Sequence, residues 1–136
     1  MLQEETPSTL SPRPNRNTVL EFYRLGLEGR KPDQAFAQFM APDFVEHKPD
    51  VADPTREGSA AFLEKLMLEL PAATWEVVRT IAEDDLVFLH ARFVAAPGAP
   101  AYAIADVFRL HNELIVEHWD VVAGPSATPK NPHSRF

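Results

Sequence analysis

Residues 101–122 read AYAIADVFRLHNELIVEHWDVV, and this stretch decides the fold because it predicts two strands folded back on each other. Branched and aromatic residues alternate with other residues on both sides of a polar trio, which is typical of strands and not of a helix. We expect a three-residue loop at 111–113, because a two-residue turn would place Glu113 where positive φ is needed. The sequence therefore predicts an antiparallel hairpin of defined register.

This loop determines which residues face each other across the hairpin. Asp106 then faces His118, and Ile104 faces Asp120. One face is predicted to carry Ile104, Asp106, Phe108, Leu110, Leu114, Val116, His118 and Asp120. The other is predicted to carry Ala105, Val107, Arg109, Ile115, Glu117, Trp119 and Val121. Neither face is plainly polar, so we expect the hairpin to be covered on both sides, with Trp119 covering the outer sheet.

The composition indicates one domain and excludes several classes of partner. The chain has 136 residues, 45% of them hydrophobic, which is enough for one core and too few for two. Twenty acidic against thirteen basic residues, with no Lys or Arg cluster, argue against nucleic acid and membrane partners. There is no cysteine, no apolar run of about 18 residues and no secretory pattern at the start. We expect a cytoplasmic protein.

Three helices and a short strand are predicted before the main sheet. Residues 1–16, rich in Pro, Ser, Thr and charge, predict a flexible arm, and residues 17–136 form the domain. The first helix starts at Asn17 or Thr18 and ends at Gly29, and the second runs from Pro32 to Met40. The third covers about 59–70, after a short strand within the segment DFVEHKPD.

Four strands follow from Thr74, with turn-like segments between them. The fold class is therefore α+β: a cone-shaped α+β barrel in which three N-terminal helices pack on a curved antiparallel four-strand meander plus one short strand. We expect the wide end of the cone to stay open and a ligand to bind between helices and sheet. The tail after Gly124 should form no regular element.

Asp106, His118 and Asp120 form the strongest candidate catalytic group, because the register brings them to one face among apolar neighbours. Loss of hydration raises the pKa of a carboxyl group and a nearby imidazolium lowers it, so the group can divide acid and base roles. Proton transfer at a carbon or a carbonyl oxygen suits such a site. The alternative is a buried ion pair that only holds the hairpin.

Further residues are candidates on the same reasoning. His90, with Phe88 on its side of the strand, would approach Asp106 if that side faces the helices, and is otherwise a core histidine. His47 follows Phe44-Val45 and is expected at the mouth of the cone. The hydroxyl of Tyr23 could donate to an oxyanion, or lie at the edge of the core. The expected pocket residues besides the catalytic group are His47, Tyr23, Phe108, Phe88 and Ile104.

Metal and phosphate chemistry have weak support. Two imidazoles and a carboxylate could hold iron or zinc, but no H-x-H or H-x-x-x-H spacing is present, so we expect no metal. The five glycines are scattered, which leaves no phosphate-binding loop, and there is no G-x-S-x-G motif.

The segments FVEHKP and ADVFRLHNELIVEHWDVV, in this order of elements, resemble the SnoaL-like polyketide cyclase group of the nuclear transport factor 2-like superfamily. The resemblance covers about residues 17–136, and D-x-F-R followed by I-V-E-H-W-D is its most specific part. The closing NPHSRF resembles the ending of SnoaL-like aldol-condensation enzymes. The strand around Asp106 is also similar to the D-V-M-R strand of ketosteroid isomerases, whose aspartate donates to the substrate oxyanion. Those isomerases have an aspartate base near the position of His47.

This resemblance implies a cone with an acid/base carboxylate and histidine in its pocket, no cofactor, and a homodimer formed through the outer sheet face. It also implies pocket positions for His118 and Asp120. The expected activity is proton transfer next to a carbonyl of a small apolar substrate, as in cyclisation, isomerisation or aldol-type condensation. Two alternatives remain: a module that binds a hydrophobic ligand or dimerises without catalysis, and a metal-dependent enzyme.

Overall fold

The structure, a computed structural model, describes residues 14–136. Helix α1 spans Asn15–Tyr23 and continues as a π-helical turn over Arg24–Glu28; α2 spans Pro32–Phe39 and α3 spans Arg56–Glu69. The predicted arm lies outside the described residues except for its last three positions, of which 15 and 16 already belong to α1.

The helix starts reflect local sequence signals. Pro32 occupies the first turn of α2, where its missing N–H has no cost. Helix α3 starts earlier than the predicted residue 59, because the hydroxyl of Thr55 caps it by accepting a hydrogen bond from the N–H of Gly58 at 3.0 Å. Helix α2 ends at Phe39, and Met40 already belongs to a strand.

Five strands form one mixed sheet: β1 Met40–Glu46, β2 Thr74–Glu83, β3 Leu86–Val94, β4 Ala101–His111 and β5 Leu114–Ala123. Their order is β1-β5-β4-β3-β2. Strands β2 to β5 are the predicted antiparallel meander, and β1 runs parallel to β5. Since β1 and β2 are edges, the sheet is not closed. The α+β prediction is confirmed.

The hairpin turn differs from the predicted three-residue loop. His111 pairs with Leu114, so the turn contains two residues, Asn112 and Glu113, with φ of 49° and 66°. Two positive φ values are typical of a type I′ turn, whose twist matches that of the strands. The left-handed conformation of Glu113 costs about 1–2 kcal/mol.

A bulge in β5 also changes the predicted register. Leu110 pairs with Ile115, but Arg109 pairs with Glu117, so Val116 is the extra residue. Beyond the bulge Asp106 pairs with Asp120, and not with His118 as predicted. Because the register changes by an even number of residues, Asp106, Phe108, His118 and Asp120 still lie on one face of the hairpin, as predicted. Next to the turn the prediction was wrong. Ile115 was expected on the outer face, but it is fully buried in the core.

The helices pack on one face of the sheet and form the core with it. The largest fully buried side chains are Val19 and Thr18 from α1, Val87 and Leu89 from β3, and Ile115 from β5. The guanidinium of Arg30 joins helix ends by donating hydrogen bonds to the carbonyls of Met67, Leu70 and Ala73. These contacts hold the first helix against the end of α3, where the cavity lies.

The tail after β5 makes no regular element, as predicted, and folds back on the sheet. The guanidinium of Arg135 donates hydrogen bonds to the carbonyls of Ala123 and Gly124, and the ring of Phe136 stacks on His90. Within residues 14–136, no helix is long and apolar enough to cross a membrane.

Candidate functional site

A cavity of about 320 Å³ lies between the helices and the inner face of the sheet. This volume is at the small end of the range for sites that enclose drug-sized ligands. Its walls are mostly apolar and aromatic: Phe22, Tyr23, Leu27, Phe36, Phe62, Leu63, Leu66, Leu70, Trp75, Phe93, Ile104 and Phe108. Such walls favour an apolar ligand.

Aromatic packing defines one wall of the cavity, and exposed residues mark its mouth. The ring of Phe22 packs edge-to-face on Phe36 and Phe108, with centroid distances of 5.1 and 5.9 Å. Tyr102 and Val122 line the cavity but are exposed. The cavity therefore opens where β4 begins and β5 ends.

Polar groups converge on one side of this apolar cavity. We call them the polar corner: Glu46, Lys48, Asp106, His118 and Asp120. They come from the end of β1 and from facing positions of β4 and β5, which are neighbours in the sheet. Asp106, His118 and Glu46 are buried.

His118 is held between two carboxylates. Its Nε2 lies 2.7 Å from Oδ1 of Asp106, and its Nδ1 lies 2.6 Å from Oε1 of Glu46. Ionised carboxylates only accept hydrogen bonds, so both ring nitrogens must donate, and this requires the protonated ring. The geometry therefore indicates an imidazolium.

Electrostatics support the same protonation state. Burial alone lowers the pKa of His118, but the hydrogen bonds to Asp106 and Glu46 and the charges of these carboxylates outweigh it and raise the pKa to about 10. The ring is therefore charged at neutral pH. With both nitrogens engaged, His118 has no free N–H for a substrate, and the carboxylates are the groups that can accept a proton.

Lys48 and Asp120 form the second ion pair of the polar corner. Nζ of Lys48 lies 2.8 Å from Oδ2 of Asp120, whose side chain is buried. Burial lowers the pKa of Lys48, but the hydrogen bond and the charge of Asp120 outweigh it, so the pKa is raised. Lys48 is therefore an ammonium group. Its backbone N–H also donates to Oε1 of Glu46 at 3.1 Å, which links the two ion pairs.

Tyr23 supplies a neutral phenol on the helix side of the cavity. Burial and the charge of Asp106 raise the pKa of its hydroxyl well above the ordinary value. The hydroxyl stays protonated at neutral pH, so it can donate a hydrogen bond.

Six of the residues selected from the sequence line this one cavity. They are Asp106, His118, Asp120, Phe108, Tyr23 and Ile104. His47, His90 and Phe88 do not. The predicted positions of these three residues at the cavity were wrong.

His47 lies on the outer face of the sheet. Side chains alternate along β1, and Phe44 and Glu46 point inward, so His47 points outward. Its Nε2 lies 2.8 Å from Oε2 of Glu117, and its ring stacks on Trp119 with a centroid distance of 4.8 Å. Trp119 thus covers the outer sheet, as expected.

His90 and Phe88 also lie on the outer face. Leu89 and Ala91, their neighbours in β3, are fully buried, so the alternate residues face away from the helices. The ring of His90 contacts the guanidinium of Arg79 and stacks on Phe136.

Glu46 and Lys48 line the cavity but are not among the residues predicted from the sequence, although the strand pattern contains the signal. In the segment FVEHKP the apolar residue Phe44 is the natural inward residue, and alternation then directs Glu46 and Lys48 inward as well. The prediction of His47 rests instead on its place after the apolar segment Phe44-Val45. The phase of the strand was the better guide.

Asp106, His118 and Asp120 have potential metal-ligand atoms within 4.8 Å of one another. A metal ligand must be deprotonated, but both nitrogens of His118 are engaged by carboxylates and Asp120 is paired with Lys48. The donor set in this protonation state does not suit a divalent cation.

The family model of the SnoaL-like domain matches residues 19–118 of this chain. Comparison with curated proteins gives no match.

Solved structures share the fold. IdmH of Streptomyces antibioticus, a proposed polyketide cyclase, is 21% identical with a TM-score of 0.67, and the match covers 81% of this chain and 92% of IdmH. A proposed polyketide cyclase of Bacillus cereus is 17% identical with a TM-score of 0.68, covering 79% and 73%. A nuclear transport factor 2-like protein of unknown function from Cytophaga hutchinsonii is 18% identical with a TM-score of 0.66, covering 83% and 93%. These identities establish the fold alone.

Proposed function

The chain belongs to the SnoaL-like family, and from this premise and the geometry of its cavity we propose that it is an enzyme that transfers a proton next to a carbonyl group of a small apolar substrate. The observation that supports this most strongly is the hydrogen bond between Asp106 and His118 inside a cavity with apolar walls. In such surroundings a carboxylate is poorly solvated and an imidazolium holds it in place.

Asp106 is the proposed base. Its Oδ1 accepts the hydrogen bond from His118, which leaves Oδ2 for a substrate. The oxygen takes a proton from the carbon next to the carbonyl, and the electron pair of that C–H bond becomes the C=C bond of an enolate. The electrons of the carbonyl π bond move to its oxygen, which becomes negatively charged.

His118 and Glu46 are positioning residues in this scheme. The ring keeps both protons and orients Asp106, while Glu46 holds the other end of the ring. The enolate can then attack a second carbonyl carbon, as in cyclisation or aldol-type condensation, or take the proton back at another carbon, as in isomerisation. All three reactions share the first step, so this step is the one to test.

Hydrogen–deuterium exchange at the carbon next to the carbonyl tests the proposal without a known product. Small cyclic ketones and β-diketones in D₂O are followed by proton NMR with and without the protein. We expect the native protein to accelerate exchange of at least one compound, and Asp106→Asn to reduce the acceleration by about 10²–10⁴.

Asp43→Asn is the matched control, because Asp43 is an exposed carboxylate on β1. This variant should exchange at the native rate. If Asp106→Asn also keeps the native rate while its circular dichroism is unchanged, Asp106 is not the base.

A non-catalytic ligand-binding module is the second candidate, favoured by the predominance of apolar side chains in the cavity. The same experiment separates the two. Saturable binding of ketones with no acceleration of exchange by the native protein would support the module and contradict the enzyme.

We also propose that the partner on the outer sheet face is a second copy of this chain. Val121 and Ile81 lie on this face with 70% and 60% of their surface exposed, and Trp119 lies beside Val121 along β5. Exposed apolar side chains on one face favour association. Sedimentation velocity should give the mass of a dimer, and a monomer at high concentration would contradict this.

A further inference from the structure

A second cation in the polar corner has no part in the scheme above. Lys48 follows the end of β1, its side chain is mostly buried, and it lines the cavity. Its ammonium group carries three protons, and the hydrogen bond to Asp120 uses one of them. The carboxylate of Asp50 lies further away, with 3.6 Å between Oδ2 and Nζ.

The sheet places this ammonium group close to the proposed base. Asp106 and Asp120 are direct partners across β4 and β5, and an oxygen of each lies within 4.8 Å of the other. Lys48 is bonded to Asp120, and its charge reaches Asp106. This arrangement suits a carbonyl substrate whose acidic carbon contacts Asp106 while its oxygen contacts Lys48.

The charges of the polar corner also call for a cation at the substrate oxygen. Glu46, Asp106 and Asp120 carry three negative charges against two positive charges, on His118 and Lys48, and the cavity-lining carboxylate of Asp50 adds a fourth negative charge beside Lys48. An enolate formed here without a facing cation would be repelled. His118 cannot serve, because both its nitrogens donate to carboxylates.

We propose that Lys48 is a second catalytic residue, whose ammonium group binds the substrate carbonyl oxygen and stabilises the enolate oxyanion, and that Asp120 positions it. This inference rests on the proposed function. As Asp106 removes the proton, negative charge moves from the carboxylate to the substrate oxygen, and the ammonium group is already in place to receive it.

The same geometry argues against a covalent role for Lys48. An amine attacks a carbonyl only when it has lost its proton. The hydrogen bond to Asp120 keeps the proton on Nζ, so Lys48 should donate a hydrogen bond and form no imine. Tyr23 is the competing donor, but a hydrogen bond from a charged donor is about twice as strong as one from a neutral donor.

A phenolate is a stable analogue of the enolate, so binding of para-nitrophenol tests the role of Lys48 without a substrate. Its phenol and phenolate forms have separate absorption bands, so the absorption spectrum shows which form is bound. Asp106→Asn removes a negative charge and mimics the protonated base, so it should bind the phenolate more tightly than the native protein does.

Lys48→Met in the Asp106→Asn background should then weaken phenolate binding by about tenfold or more, while the affinity for the neutral phenol at low pH stays unchanged. Lys65→Met in the same background is the charge-matched control, because Lys65 is an exposed residue of α3. This control should bind the phenolate as Asp106→Asn does.

Unchanged phenolate affinity after Lys48→Met overturns the inference. An equal loss of affinity for phenol and phenolate also overturns it, because it would mean that the substitution disrupts the cavity as a whole. The absence of phenolate binding in every variant also overturns it. Failure of the proposed function gives a different pattern: Asp106→Asn then binds the phenolate no more tightly than the native protein, whatever the effect of Lys48.

Discussion

Two histidine–carboxylate pairs lie side by side at the junction of β1 and β5, on opposite faces of the sheet. His118 points inward and contacts Asp106 and Glu46 at 2.7 and 2.6 Å; His47 points outward and contacts Glu117 at 2.8 Å. The backbone N–H of His47 donates to the carbonyl of His118 at 3.0 Å, so the two residues share one rung of the sheet. Similar distances thus occur in very different surroundings.

Burial and the number of partners distinguish the two pairs. The side chain of His118 is 11% exposed and has two carboxylate partners, whereas that of His47 is 37% exposed and has one. Water screens the outer pair, and Glu117 also accepts a hydrogen bond from Arg109. The distance between an acid and a base therefore does not determine how much the ion pair contributes to stability. The dielectric of its surroundings does.

The largest effect should follow from removing the inner cation. His118→Leu leaves the carboxylates of Asp106 and Glu46 buried without a positive partner, which we expect to lower the free energy of unfolding by about 3–5 kcal/mol. Urea denaturation monitored by tryptophan fluorescence measures this change.

A compensated variant separates lost charge from lost packing. Adding Glu46→Gln and Asp106→Asn to His118→Leu removes the buried charges together, so much of the lost stability should return. If the triple variant is no more stable than His118→Leu, the cost comes from packing and the buried ion pairs are not its source.

The next effect is a pH dependence. Folding raises the pKa of His118 from 6.5 to about 10, so its contribution is fully present below pH 6.5 and is lost as the pH rises through 10. Between these values the free energy of unfolding should fall by up to about 1.4 kcal/mol per pH unit. Urea denaturation at a series of pH values checks this, with the triple variant as the reference for other titrating groups. Parallel curves for the two proteins would contradict it.

The smallest effect should come from the outer pair. His47→Gln removes an exposed ion pair and part of a stacking contact, so we expect a loss below about 1 kcal/mol. The same denaturation experiment applies. A loss as large as that of His118→Leu would mean that exposure does not separate the two pairs.

The fold and three of the five residues of the polar corner could be predicted from the sequence. Alternation along β4 and β5 correctly placed Asp106, His118 and Asp120 on one face, because period-two patterns survive wherever strands are long. The turn and the bulge could not be predicted, because a left-handed Glu113 is locally unfavourable and the extra residue Val116 leaves no local signal. The wrong turn length and the missing bulge had little combined effect at the site, because the same residues still share the inner face.

The remaining errors concern which face of a strand points inward. In β3 both phases carry apolar residues, Val87 and Leu89 on one and Phe88 on the other, so only tertiary packing decides where His90 points. In β1 the phase could be read from Phe44, and it predicts Glu46 and Lys48 as inward residues. Short strands need this check before a histidine is assigned to a site.

The protonation state of His118 is the central claim, and nitrogen NMR of the protein with labelled histidine measures it most directly. We expect both ring nitrogens of His118 to be protonated at neutral pH and to stay so until the pH approaches 10. The signals of these nitrogens are assigned by their loss in His118→Leu. A His118 ring with one unprotonated nitrogen at neutral pH, titrating at or below 6.5, would contradict the account.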